Sequence, residues 1–217
     1  MNRRWPRRPG RWPDRPILLV MESDGELLLR LRSGDERAFI GLVERYNEPM
    51  LRLAASFVPS RAIAEEVVQD TWLALLRGLG GFEGRSSLKT WLFRILVNQA
   101  RKTGTKENRS VPVADPEPVV DPSRFDASGA WADPPETWIE AAEGRMEAGK
   151  LADRVRVWID DLPARQREVV LLRDVEGMSS EEVCGVLALS EGNQRVLLHR
   201  GRSRLRQLLE DEFRGVR

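Results

Sequence analysis

The 217-residue sequence holds one cysteine and one histidine. A lone thiol closes no internal disulfide, and Cys184 is expected on the buried side of a helix, where a small residue allows close packing. With one His, one Cys and no glycine-rich phosphate loop, the chain lacks a catalytic constellation, so an enzyme, a metal site and a cofactor are all unexpected. No apolar run approaches the ~20 residues of a membrane span. Only a short apolar patch, residues 17–21, follows the Arg/Trp/Pro-rich start. These absences point to a cytoplasmic protein that acts by binding.

An excess of charge of one sign is also missing, since 35 basic and 34 acidic residues leave a formal charge of +1. The sum hides a segregation by segment. Residues 107–150 carry ten acids and four bases, whereas residues 85–109 carry seven bases and one acid, Glu107, which both spans share. Apolar residues recur at helical spacing from Glu26 to about Lys102, with breaks at Gly34, Pro59 and the cluster from Gly78 to Gly81. Residues 104–138 instead gather proline among Asp, Glu, Ser and Gly, a composition that buries too little apolar area to offset its chain entropy. The expected fold is all-α: two small helical domains, 26–103 and 139–217, joined by a flexible linker, 104–138. An extension, 1–25, is expected to be disordered, with Met21 as a plausible native start. Trp131 and Trp138 are out of character for a plain tether. Either that segment docks on something, or Trp138 begins a helix running to Asp161.

Residues 162–209 read as a helical bundle that ends in a helix-turn-helix. Ser179 and Glu182 make a capping-box start for one helix, whose buried stripe is Val183, Val186 and Leu187. Ala188, Leu189 and Ser190 break the pattern. Ser190 is a good N-cap for a second helix, in which Arg195, Arg200, Arg202, Arg204 and Arg206 follow without an acid until Glu210. Such a helix places its N-terminal part in the major groove while other arginines meet phosphates, so DNA is the first partner to consider.

Two helices of the first half have opposite characters. Residues 85–102 divide into an inward stripe of Leu88, Trp91, Leu92, Ile95, Leu96 and Gln99 and an outward one of Thr90, Arg94, Asn98, Arg101 and Lys102. A face of Arg, Lys and Asn beside a tryptophan suits a nucleic-acid backbone, with the ring stacking on a base. Equally, Trp91 is core and the bases solubilise the helix. Residues 62–77 turn Val67, Val68, Thr71, Trp72, Leu75 and Leu76 inward. Glu66, Asp70, Leu73 and Arg77 lie along another side, with Glu65 and Gln69 beside them. An acidic face with an exposed leucine invites a protein partner; taken alone it is also an ordinary solvated face.

The segments SGDERAFIGLVERY, AEEVVQDTWLALLR, GFEGRSSLKTWLFRILVNQARK and LPARQREVVLLRDVEGMSSEEV, in that order and spacing, resemble a bacterial sigma factor of the extracytoplasmic-function group. The likeness covers residues 26–209 except the linker. It implies a non-enzymatic subunit of RNA polymerase that binds promoter DNA and core polymerase, through the clamp of the largest subunit and the flap of the second-largest. An anti-sigma factor is a further partner class that it implies. By resemblance, Glu65, Glu66, Gln69, Asp70 and Leu73 bind the clamp. Gly84, Arg85, Ser86, Ser87 and Leu88 form a loop that captures a flipped base of the −10 element, and Lys89, Thr90, Trp91, Arg94 and Asn98 hold the strand, with Arg101 and Lys102 farther along the same face. The helix after Ser190 reads the −35 element through Asn193, Gln194, Arg195, Val196, His199 and Arg200. Where the family commonly shows GTVKSR, this chain has GNQRVL from Gly192 to Leu197, which implies a different base preference. Gln can contact adenine and Val a thymine methyl.

A rival reading is a helix-turn-helix activator or repressor outside the polymerase, since response-regulator output domains share the look of REVVLLRDVEGMSSEEV. That rival needs a sensory or dimerising first domain, and nothing in residues 26–102 resembles a receiver.

Overall fold

The computed structural model describes residues 23–107 and 148–214, and among these every regular element is helical. Trp131, Trp138, most of the expected linker and residues 1–22 lie outside the described residues. The N-terminal domain comprises α1 (Asp24–Arg32), α2 (Glu36–Ala54), α3 (Arg61–Gly78), a 3-10 turn (Leu79–Gly81) and α4 (Leu88–Glu107). The C-terminal domain comprises α5 (Ala148–Asp160), α6 (Ala164–Val170), a π-turn (Leu171–Val175), α7 (Ser180–Leu187) and α8 (Glu191–Arg214).

Polar caps set the helix starts. Ser23 and Glu26 close a capping box on α1, Asp35 accepts from the Arg37 and Ala38 amides, and Ser60 accepts from Ile63. These bonds satisfy amides that have no partner inside the helix. Helix α1 thus has its cap at Ser23, three residues before the apolar pattern starts at Glu26.

Helix α4 is the centre of the molecule. Leu92, Phe93, Leu96, Val97 and Ala100 are completely buried, and the Phe93 ring meets Tyr46 of α2 edge-on at 6.1 Å. The expected inward stripe is turned: Trp91, Ile95 and Gln99 are only half-buried, while Phe93, Val97 and Ala100 take core positions. The physical reason is that α4 packs on α2 and α3 of its own domain and on α7 of the other, so it has no single solvated side. The helix also continues five residues past Lys102, into the segment expected to be linker. Gly104 is buried there. A Cβ at that position would stand 2.4 Å from the Phe57 carbonyl oxygen, so only glycine allows this approach.

The start of α4 is held from two sides. The Thr90 amide donates to Ser87 Oγ at 3.0 Å, and the Leu88 amide donates to the Asp24 carboxylate at 2.7 Å. Asp24 thus caps α4 from across the domain and sets a negative charge on its positive end. Asp24→Ala is expected to destabilise the domain by about 1 kcal/mol, read as a lower midpoint of urea unfolding, while Asp24→Asn, which keeps an acceptor, loses less. Equal midpoints for all three proteins would mean that water replaces the carboxylate at no cost.

In the C-terminal domain the capping box of Ser179 and Glu182 is present, and Val183, Val186 and Leu187 are buried as the pattern predicts. Ala188 ends α7 in the left-handed conformation at φ 51°, and Ser190 Oγ accepts from the Asn193 amide at 3.3 Å to start α8. Cys184 is half-buried rather than buried, because Val183, Val186 and Leu187 occupy the inner side of α7. Apart from Trp158 and Leu209, the buried apolar residues described in the two domains form one contiguous cluster.

Candidate nucleic-acid and protein-binding faces

Three faces emerge, and α3 carries the first. Trp72 fills the seam between α3 and α2, with Phe39 edge-on at 5.7 Å and the indole N–H donating to Asn47 at 3.3 Å. That anchoring turns Glu65, Glu66, Gln69, Asp70 and Leu73 outward together. Leu76, expected inward, lies outside as well: Leu73 is 49% and Leu76 45% exposed. Glu65 pairs with Arg61 at 2.8 Å. The result is a carboxylate surface around two exposed leucines.

The second face is the loop before α4 and the side of α4 that follows it. Gly84 and Arg85 are exposed, Ser86 and Ser87 half-buried, and Leu88 buried. Arg85 pairs with Glu83 at 2.5 Å. Trp91 stacks on Phe82 with ring centroids 4.6 Å apart, and the close approach of its ring to Gly78 leaves no room for a side chain there. The indole is therefore a fixed wall beside the loop, one side of it packed. Arg94, Asn98 and Lys102 are exposed, and Lys89 and Arg101 half-buried. Thr90, expected outward, is buried.

What covers Thr90 is α7. Its hydroxyl donates to Glu182 Oε1 at 2.5 Å, and Ser87 Oγ lies 3.3 Å from the same oxygen. Those bonds, the Thr90 hydroxyl first and the Ser179 amide next, hold the Glu182 carboxyl below its ordinary pKa. Lys89 reaches the backbone carbonyl of Glu176 and lies 3.3 Å from its carboxylate. Arg101 donates to the Leu187 carbonyl at 2.5 Å, and burial lowers the pKa of its guanidinium, with the charge of Arg165 adding to the effect. Nearby, burial pushes the Glu168 carboxyl up to about 7 despite Arg165 and Arg101 beside it. Glu176 and Glu182 are interface residues that sequence reasoning missed, Glu182 being legible only as a cap.

The third face is the start of α8. Asn193, Arg195 and Val196 are exposed, with Val196 at 47%, and His199 and Arg200 are half-buried. Burial, then the adjacent charge of Arg200, lowers the His199 pKa and favours neutral imidazole. Gln194, assigned to base reading by resemblance, is buried, and its amide oxygen accepts from Ser180 Oγ at 2.9 Å. It ties the two helices of the pair together. Farther along, Arg202 makes a bidentate pair with Asp174 at 2.6 and 3.0 Å, and Arg206 pairs with Glu210 at 2.6 Å. Part of the basic run is thus neutralised within the domain.

Gln194→Ala is accordingly expected to cost the C-terminal domain about 1–3 kcal/mol, the penalty of a buried partner left unmade. Val196→Ala should leave the unfolding midpoint unchanged and alter base preference in a duplex selection. If Gln194→Ala instead unfolds like the parent and shifts sequence preference, the side chain reaches DNA and the buried bond to Ser180 is wrong.

Residues 42–110 match the family described as Sigma-70 region 2, and residues 153–205 the one described as Sigma-70, region 4. The chain is 32% identical over 197 residues to the RNA polymerase sigma-H factor of Pseudomonas aeruginosa, covering 91% of this chain and 99% of that protein. It is 31% identical over 180 residues to the ECF RNA polymerase sigma-E factor of Escherichia coli K12, covering 83% and 91%. Among solved structures, CnrH in complex with the cytosolic domain of CnrY has a TM-score of 0.52 and 26% identity, covering 88% of this chain and 99% of that one. Both helical halves and nearly the full length are accounted for, and the chain belongs to the sigma-70 family of RNA polymerase sigma factors, among its extracytoplasmic-function members.

Proposed function

We propose that the three faces divide the work of promoter recognition. The acidic surface of α3, through Glu65, Glu66, Gln69, Asp70 and Leu73, docks on the clamp of core RNA polymerase. The loop from Gly84 to Leu88 receives a flipped base of the −10 element, and Lys89, Arg94, Asn98, Arg101 and Lys102 hold the displaced strand. Extruding a base costs a few kcal/mol, which a pocket and cationic backbone contacts can return. The start of α8 reads −35 duplex through Asn193, Arg195 and Val196, with His199 and Arg200 closer to the backbone. The protein is a binding subunit, not an enzyme, and works in the cytoplasm; none of its described helices is long and apolar enough to cross a membrane. CnrH is seen in complex with the cytosolic domain of CnrY, which supports a further protein, of the anti-sigma class that the resemblance implies, as a partner.

The observation that carries this reading is the exposed row of Arg94, Asn98 and Lys102 beside a positive-φ glycine loop, at Gly84 φ 73°. An activator or repressor reading duplex alone has no use for that second nucleic-acid face. The test is transcription in vitro with purified core polymerase over a genomic fragment library. Start sites that appear only when the protein is added are expected, and no new start site with an active core would end the proposal.

A further inference from the structure

Part of the face assigned to the single strand is already engaged, and the occupant is the other domain, while Arg94, Asn98 and Lys102 stay exposed. Lys89 is engaged by the carbonyl and carboxylate of Glu176, Thr90 and Ser87 by the Glu182 carboxylate, and Arg101 by the Leu187 carbonyl. The Arg94 guanidinium lies beside Gly185, 2.8 Å from where a Cβ would stand. Arg167 of α6 adds a bond to Ser56 at 3.0 Å. Carboxylate and carbonyl oxygens are acceptors of the kind that a phosphodiester backbone presents, so α7 and the turn before it offer α4 much what a DNA strand would. The two cannot be satisfied at once.

The other two faces differ. The carboxylates and leucine of α3 are exposed, and so are Asn193, Arg195 and Val196 at the start of α8. We propose that, in the free protein, α7 and the Glu176 turn form a docking surface for α4 that masks Ser87, Lys89, Thr90 and Arg101 on the single-strand face, leaving the polymerase face and the duplex-reading face open. The inference rests on the assignment of the strand to α4 made above. Its consequence is an order of engagement: clamp and upstream duplex can be bound by the closed molecule, whereas the melted strand is captured only after the domains part. Glu182 is suited to the latch because its capping-box bond to Ser179 fixes the carboxylate before α4 arrives.

The full chain with Glu176→Lys and Glu182→Gln tests this. Gln preserves the capping box, Lys sets a like charge against Lys89, and neither residue belongs to a face assigned to DNA or polymerase. A second variant, Glu44→Lys with Glu36→Gln, carries the same charge change on the exposed side of α2. Small-angle scattering reports domain separation, and fluorescence anisotropy reports binding of a random-sequence single strand and of a random-sequence duplex. The latch variant is expected to expand and to bind the single strand about tenfold tighter, as when the competent state rises from about a tenth of molecules to most of them. Duplex binding and the α2 variant should track the parent, apart from a small gain common to both strands from added charge.

A latch variant that stays compact would show that these contacts do not hold the domains together, and the masking proposal would be wrong. Expansion without a gain, in a parent that already binds the strand, would also overturn masking while leaving the strand on α4. If the expanded protein binds no single strand at all, the assignment of the strand to α4 fails first, and the masking with it.

Discussion

Replacing Glu66 and Asp70 together with arginine is expected to weaken binding to core RNA polymerase by about a hundredfold, since like charges set against one another cost several kcal/mol. Both side chains are exposed on α3, and neither supports the core, which Trp72, Val67, Val68 and Leu75 fill from the opposite side of the helix. Helical content and unfolding midpoint should therefore match the parent. Leu73→Ala should add a smaller loss, because an exposed leucine at the centre of a charged patch contributes only when a partner desolvates it. The face is open in the closed molecule, so the result does not depend on whether the two domains have parted. A fluorescence titration in which the double arginine variant binds core as tightly as the parent would remove α3 from the interface.

The sequence made the ends of the helices more legible than their faces. Ser179 with Glu182 and Ser190 before α8 are local signals, decided within four residues, and the structure has both caps where the pattern places them. Ser23 with Glu26 is the same signal, overlooked because it precedes the apolar repeat. Faces are harder to read, because periodicity reports how a lone helix would divide between core and water. Helix α4 packs against helices of both domains, and a polar Thr90 is buried because Glu182, 92 residues away, supplies its partner. Gln194 is hidden by the same kind of cause. The resemblance makes it a DNA contact, yet its partner Ser180 sits in the preceding helix.

Leu76 shows the converse. Nothing in its spacing separates it from Leu75, but Trp72 is large enough to fill the α2 seam and leaves Leu76 on the rim, 45% exposed. The resemblance to sigma factors placed roles on residues that the geometry then sorts. It assigned Arg94 and Asn98 to the strand, and both are exposed; it put Gln194 among the base readers, and that side chain is buried against Ser180. No pattern in the chain announces the contact between the domains, since each half alone could satisfy its own helical repeats.

Arg94→Ala combined with Asn98→Ala is expected to leave polymerase binding and upstream duplex recognition within about twofold of the parent, a change below 0.5 kcal/mol. Promoter opening should fall by tenfold or more, because about 1 kcal/mol is lost for each strand contact removed. Both side chains are exposed, so the fold should be unaffected. Permanganate reactivity of thymines around the start site, measured on core polymerase bound to the protein, reads the opened strand directly. The closed packing sharpens the expectation. Arg94 rests beside Gly185, so under the proposed masking its loss is expected also to loosen the packing of α7 on α4 and, on that account alone, to make opening easier. The two effects have opposite signs. Asn98 has no bond to α7 in the described structure and so carries only the strand term. If Asn98→Ala alone lowers thymine reactivity and Arg94→Ala lowers it less than its charge would suggest, strand holding and masking act at the same residue. A double variant that opens promoters as well as the parent would take the melted strand off this face of α4.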